Sequence, residues 1–320
     1  MRVLLVTPAP GGSRKGNRIT ALRWARLLRE LGHRTRIAER YQGERCHLLV
    51  ALHAGRSAES IARYRGDCPR APLVVALTGT DVYGDIHTSA EARRSLELAD
   101  RLVVLQPLAR DQLPEGLRHR ARVIYQSVPP LRSKPAPRED RFEVCVMGHL
   151  RPVKDPFRTA EAARLVPAGS RLRVLHMGAA LGEEMAEQAR AEEVRNPRYR
   201  SLGDRPRGRA MRLLARCRLL SLTSVLEGGA NVIGEAVAVG TPVVSSRIDG
   251  SVGLLGDDYP GYFPVGDTAA LAALLWRAES DPTFLADLRA RCERVRGLFE
   301  PQAERAAWRG LLAELVPRAE

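Results

Sequence analysis

Short branched apolar runs alternate with helix-like stretches along this chain, and the alternation runs through once and then starts again. No other feature of the sequence limits the fold as much. Val3-Leu4-Leu5-Val6 reads as a buried strand. After the loop 8–16, a helix is expected over 17–31, with Asn17 as its cap, Ile19, Leu22, Leu28 and Leu31 at helical spacing, and Gly32 closing it. Further strands are expected at 35–38, 47–52, 73–77, 102–105 and 122–125, with helical stretches between most of them. Segment 129–140 (PPLRSKPAPRED) is polar and proline-rich, as an interdomain linker is. The pattern then restarts, with strands at 142–147, 173–177, 217–222 and 242–245 and helices at 155–165, 183–193 and 232–239. The tail, 268–315, reads as mostly helical. Strands that alternate with helices pair in parallel, and the helices cover both faces of the sheet. The chain is therefore expected to be α/β, with an N-terminal domain over 1–135, a C-terminal domain over 136–300, and a last helix, 301–316, crossing back onto the first domain.

A length of 320 residues suits two such domains better than one core. The formal charge of +14 raises nucleic acid as a partner. The basic residues argue against that reading. Of 51 Lys and Arg, only Lys15, Lys134 and Lys154 are lysines, the arginines are scattered, and aromatics make up only 5%. Most of the charge is expected on solvated helix faces. Cys46, Cys68, Cys145, Cys217 and Cys292 are far apart and odd in number, with no CxxC or HxxxH spacing, so reduced cysteines, no metal site and a cytoplasmic location are expected. No stretch reaches the ~18 apolar residues of a membrane span.

Five segments carry chemistry, each following an expected strand, where ligands bind in open α/β sheets. In the first, Gly11, Gly12, Arg14, Lys15 and Asn17 combine a close-approach backbone, a helix N-terminus and two cations, which suits an anion. It matches neither GxGxxG nor GxxxxGK[ST], and a plain glycine turn is the competing reading. His53 follows a buried strand and serves as a base, as a hydrogen-bonding group or as a structural histidine. Thr78-Gly79-Thr80-Asp81 offers hydroxyls and a carboxylate to a polar substrate, or forms a turn with an Asp cap. Gly148-His149-Leu150-Arg151-Pro152-Val153-Lys154 brings two fixed cations, Arg151 and Lys154, that suit a diphosphate leaving group. The most specific segment holds Glu227, Gly229, Ala230, Asn231, Val232 and Glu235. There a glycine loop opens a helix whose N-terminus near Asn231 can hold a phosphate, Glu235 can accept from a ribose diol, and Glu227 can face a donor sugar.

With these segments in place, the chain resembles the retaining-type nucleotide-sugar glycosyltransferases of the GT-B fold. That resemblance implies two Rossmann-like domains facing across a cleft. It is carried by the two glutamates separated by seven residues, Glu227 and Glu235, by Gly240-Thr241-Pro242-Val243-Val244, and by Lys154 in a G-R-L-x-x-x-K-G-like segment in which His149 stands for the usual Arg. PAPGGSRKGNRITALRWARLLRELGH from Pro8, TGTD from Thr78 and EGGANVIGEAVAVGTPVVSSRIDGSVGLLGDDYPGYF from Glu227 further resemble the selenosugar synthases of selenoneine biosynthesis. The closer resemblance implies transfer of a sugar, chiefly N-acetylglucosamine, from a UDP-sugar to selenophosphate, with release of UDP and phosphate and a β-linked product. It implies no cofactor or metal. Glycosyltransfer to a glycan, lipid or small alcohol is the alternative activity, and a basic nucleic-acid-binding protein is the alternative of another class.

Overall fold

The computed structural model describes residues 1–13, 16–131 and 133–315. Its strands are β1 (Arg2–Val6), β2 (Arg34–Ala38), β3 (Leu48–Leu52), β4 (Leu73–Leu77), β5 (Arg101–Val104), β6 (Ala121–Val123), β7 (Phe142–Met147), β8 (Leu172–Met177), β9 (Tyr199–Ser201), β10 (Leu219–Leu222), β11 (Val243–Ser246) and β12 (Tyr262–Phe263). Its helices are α1 (Gly16–Glu30), α2 (Ala58–Asp67), α3 (Ile86–Thr88), α4 (Ala90–Leu98), α5 (Arg158–Leu165), α6 (Glu183–Arg195), α7 (Arg207–Arg216), α8 (Asn231–Val239), α9 (Asp249–Leu255), α10 (Thr268–Ser280), α11 (Pro282–Arg294) and α12 (Pro301–Leu315). The chain divides into two compact units, residues 1–126 with the segment from Pro301, and residues 127–300. The division therefore falls before the proline-rich segment. Val128 already belongs to the second unit, where its N–H donates to Phe299 O at 2.9 Å.

Each unit is built on a six-stranded sheet, in the orders β2-β1-β3-β4-β5-β6 and β12-β11-β10-β7-β8-β9. All strand pairs are parallel. Every residue of β3 and β4 is buried, because helices cover both faces. In the first unit, Leu49, Ala51, Val75 and Leu77 face one core, and Leu48, Val50, Leu52 and Val74 face the other. The second core includes α12. Trp308 meets Trp24 of α1 edge to face at 5.0 Å, and Trp24 Nε1 donates to the buried Glu304 at 2.8 Å.

The strand orders single out where a ligand belongs. In the second unit, β7, β8 and β9 run outward on one side of the sheet and β10, β11 and β12 on the other. This is the doubly wound order whose direction reverses between β7 and β10. In the first unit the reversal lies between β1 and β3. Crevices open beyond the carboxyl ends of the strands at such switch points.

Local differences from the sequence reading have local causes. Helix α1 begins at Gly16, so Asn17 lies inside it, and the expected helix over 155–165 begins only at Arg158 after a 3₁₀ turn. Strands β9 and β12 and helices α7 and α9 were not anticipated. The two strands have only three and two residues, too few for a periodicity to register. The five cysteines are free, with Cys46 and Cys68 only half buried and the other three in the core.

Candidate functional site

In the second unit, the loops after β7 and β10 meet at the switch point. The β7 loop is held from below by its neighbours. Gly148 N donates to Met177 O at 2.9 Å, and Gly148 O lies 3.2 Å from His176 Nε2. His176 is 1% exposed, and burial holds its pKa down at about 4, so its ring is neutral and serves as a fixed strut. Its Nδ1 faces the Tyr199 hydroxyl at 3.2 Å. Gly178 lets the end of β8 approach the β7 loop, since a Cβ there would sit 1.8 Å from Gly148 O. His149 Nδ1 accepts from Ala179 N at 3.1 Å, so this residue ties the loop to the end of β8. From the other side, Val225 N donates to Val153 O at 2.9 Å, and the Thr223 hydroxyl lies 3.0 and 2.9 Å from the carbonyls of Lys154 and Asp155.

These supports bring Lys154 and Glu227 together across 73 positions of sequence. The ammonium donates to Glu227 Oε1, and the Ser224 hydroxyl reaches the same oxygen at 2.8 Å. Ser224 is fully buried, and its carbonyl accepts from the Ser246 hydroxyl at 2.6 Å. Arg151 stands at the exposed start of the 3₁₀ turn and has no side-chain partner among the described residues. Gly229 and Ala230 lead into α8, whose first turn, with Asn231 and Val232, has no acidic residue and no side-chain cap from Ala230. The positive end of the helix dipole there favours an anion. Glu235 lies in the same helix, 8% exposed, and its Oε1 accepts from Arg207 Nη1 at 2.6 Å. The sequence reading missed Arg207, Thr223, Ser224, His176 and Gly178. Small hydroxyl residues directly after a strand were a usable signal for Thr223 and Ser224. Nothing local marked Arg207.

In the first unit, the loops after β1, β3 and β4 converge at its own switch point. Gly11 N donates to Glu39 Oε1 at 2.9 Å, and Gly12 adopts a left-handed φ of 79°. Arg14 and Lys15 lie outside the described residues. Asn17 accepts from the Thr78 hydroxyl at 2.7 Å, so its side chain links the first turn of α1 to the β4 loop. His53 has a φ of 76° and is 3% exposed. Its Nδ1 accepts from Arg56 N at 3.2 Å and lies 3.7 Å from Asp85 Oδ2, and its buried Nε2 has no partner among the described residues. An accepting Nδ1 puts the proton of the neutral ring on Nε2. Thr80 is half buried, and its carbonyl accepts from Gly84 N at 2.9 Å.

Asp81 holds two of these loops together. Its side chain is 0% exposed and accepts from Ala54 N at 3.0 Å and Gly79 N at 2.9 Å. It therefore clamps the His53 loop to the β4 loop. Burial raises its pKa, and the hydrogen bonds from the Ala54 and Gly79 amides work against that rise.

Among the described residues, no group of three His, Cys, Asp or Glu is placed to hold a metal ion, and no helix is long and apolar enough to cross a membrane.

No curated protein matches the sequence. Among solved structures, the chain is similar to Anabaena Alr3699/HepE in complex with UDP and glucose, at 17% identity and a TM-score of 0.78, over 98% of this chain and 100% of that one. It is similar to a sucrose-phosphate synthase from Thermosynechococcus elongatus at 16% identity and a TM-score of 0.78, over 98% of each chain. It is similar to a glycosyltransferase from Rickettsia africae at 13% identity and a TM-score of 0.74, over 99% of each chain. At these identities the likeness is one of fold, and the fold is that of the GT-B glycosyltransferases. The sequence family of glycosyl transferases group 1 matches residues 127–295, more than half of the chain and all of the β7 and β10 loops. The chain belongs to the group 1 glycosyl transferases and is a glycosyltransferase.

Proposed function

We propose that this enzyme transfers a sugar, N-acetylglucosamine in the first instance, from its UDP derivative to selenophosphate. The observation that carries the donor half is the arrangement at the β7–β10 switch point. Lys154 and the N-terminus of α8 stand there together, with Glu235 farther along the same helix. This set suits a nucleoside diphosphate: amides and cations for the phosphates, a carboxylate for the ribose diol. The UDP bound by HepE, a protein of the same fold, supports the same reading.

In the proposed reaction, the selenium of selenophosphate attacks the anomeric carbon as the bond from that carbon to the diphosphate oxygen breaks. UDP departs with the electron pair. Water then cleaves the Se–P bond, releasing phosphate and the selenosugar. Charge grows on the diphosphate as its bond breaks, so Arg151 and Lys154 stabilise that state more than the ground state. Glu227, anchored by Ser224, is assigned to the donor sugar. Selenium is a strong nucleophile, so His53 is assigned to orienting the acceptor or sugar through Nε2–H. The acceptor is assigned to the loops of the first unit, with Gly11, Gly12, Arg14, Lys15, Asn17 and Thr80. The resemblance to selenosugar synthases over those segments supports selenium as the attacking atom.

One observation favours a second reading, a glycan or lipid acceptor. Helix α1, which follows the acceptor loop, exposes Ile19 at 36% and Leu22 at 51% beside Arg18 and Arg26. Mass spectrometry separates the two. Purified enzyme is incubated with UDP-N-acetylglucosamine and fresh selenophosphate, beside no-enzyme and thiophosphate controls. The expected result is a product with the sugar mass and the selenium isotope pattern, lost in Glu227→Ala. UDP binding without that product would move the acceptor to the second reading. Folded protein that neither binds UDP nor turns over several donors would end the proposal.

A further inference from the structure

We infer that Arg207 is a positioning residue of the donor site, acting on the ribose through Glu235. The inference rests on the UDP reading above and extends it to a residue outside the paired-glutamate motif. Arg207 is the first residue of α7, and its Nη1 donates to Glu235 Oε1 at 2.6 Å across 28 positions of sequence. The Glu235 side chain is 10% exposed and that of Arg207 is 49% exposed, so the pair runs from the interior of the unit to its surface.

Two physical points bear on this ion pair. A nearly buried carboxylate is costly unless it is paired and hydrogen-bonded, so Glu235 needs a partner in its place. Arg207 is also at the unfavourable end of its own helix. The N-terminus of α7 has the positive end of the helix dipole, its first turn has no acidic residue, and Pro206 offers no side-chain cap. Helix stability therefore does not account for an arginine at this position, whereas Glu235 does. Such a conflict between local preference and placement is expected at functional sites.

The consequence is geometric. A ribose diol presents two adjacent hydroxyls, and a carboxylate receives both only when its plane is fixed. Arg207 takes one lone pair of Oε1, which leaves the other lone pair and Oε2 free to accept.

The test is calorimetric binding of UDP and of 2′,3′-dideoxy-UDP to the wild-type protein and to Arg207→Ala, Arg207→Lys, Glu235→Gln and the Arg207→Ala/Glu235→Gln double variant. Loss of a charge-assisted hydrogen bond to the anchoring carboxylate should weaken UDP roughly ten- to hundredfold in Arg207→Ala. That loss should vanish for dideoxy-UDP, which lacks the diol, and should not add to the loss in Glu235→Gln. Arg207→Lys keeps the charge without the planar fork and should fall between wild type and Arg207→Ala. An equal loss on both nucleotides would overturn the inference, because Arg207 would then act on phosphate or base. Unchanged UDP binding in Arg207→Ala would overturn it as well. A wild-type protein that binds no UDP would remove the donor reading itself, and this inference with it.

Discussion

Gly250 leaves no space for a side chain against the loop that presents Glu227. A Cβ added there would lie 2.3 Å from Glu227 O, 2.8 Å from Glu227 Cβ and 3.0 Å from its carbonyl carbon. Carbon–oxygen contacts relax at about 3.3–3.6 Å, so Gly250→Ala requires a displacement of roughly 1 Å. Two of the three atoms are backbone, so no side-chain rotation relieves the clash. Either Glu227 moves or α9, in which Gly250 is buried, withdraws. The overpacking should cost about 1–3 kcal/mol, a fall in Tm of roughly 2–12 °C for a unit of this size. If Glu227 gives way, a shift of about 1 Å at a group assigned to the donor sugar should lower kcat on the order of 10²-fold. UDP affinity should stay near wild type, because Lys154 and α8 do not include the displaced atoms. The assay pairs thermal unfolding with steady-state turnover and UDP calorimetry. Wild-type kcat together with wild-type Tm would refute the reasoning, since the clash would then have been absorbed at no cost.

Ser224→Ala removes the hydroxyl that reaches Glu227 Oε1 at 2.8 Å. A fall of about tenfold in kcat/KM with unchanged UDP affinity is expected, read by the same kinetics. Trp308→Ala empties the contact with Trp24 and should destabilise the first unit by about 3–5 kcal/mol. Urea unfolding measures the loss, and amide exchange should show α1 losing protection while α8 keeps its own. Glu314 accepts from Arg122 and Arg101, which hold its pKa down at about 2 in the folded chain. Its contribution is therefore complete above the unfolded glutamate pKa of about 4.3 and is lost as the pH falls toward 2. The stability gap between wild type and Glu314→Gln should accordingly be flat from pH 7 to 5 and close toward pH 2, as urea titrations at each pH would show. A gap that widens on acidification would contradict the ion-pair assignment.

Elements long enough to carry a period were legible in the sequence. The five-residue runs of β3 and β4 are buried throughout, so their composition alone marks them as interior parallel strands. The restart at Phe142 reflects a second sheet with a core of its own. The glutamate spacing in the β10 loop and α8 was readable because loop and helix are continuous in sequence. What folding decided was adjacency. Strand order depends on crossovers that place β10 beside β7 and β3 beside β1, and no local pattern encodes which strand lies next to which. The Lys154–Glu227 and Arg207–Glu235 pairs join residues 73 and 28 positions apart, and either partner alone is an ordinary charged residue. Gly178 and Gly250 likewise read as turn and helix glycines until the backbones of Gly148 and Glu227 stand against them. Asp81 reads as a ligand-facing carboxylate until burial and two backbone amides make it a clamp. The sequence by itself determined the α/β elements and the types of group available to the site. Tertiary structure decided which of those groups meet, because hydrogen bonds and steric exclusion act over a few ångströms of space regardless of separation along the chain.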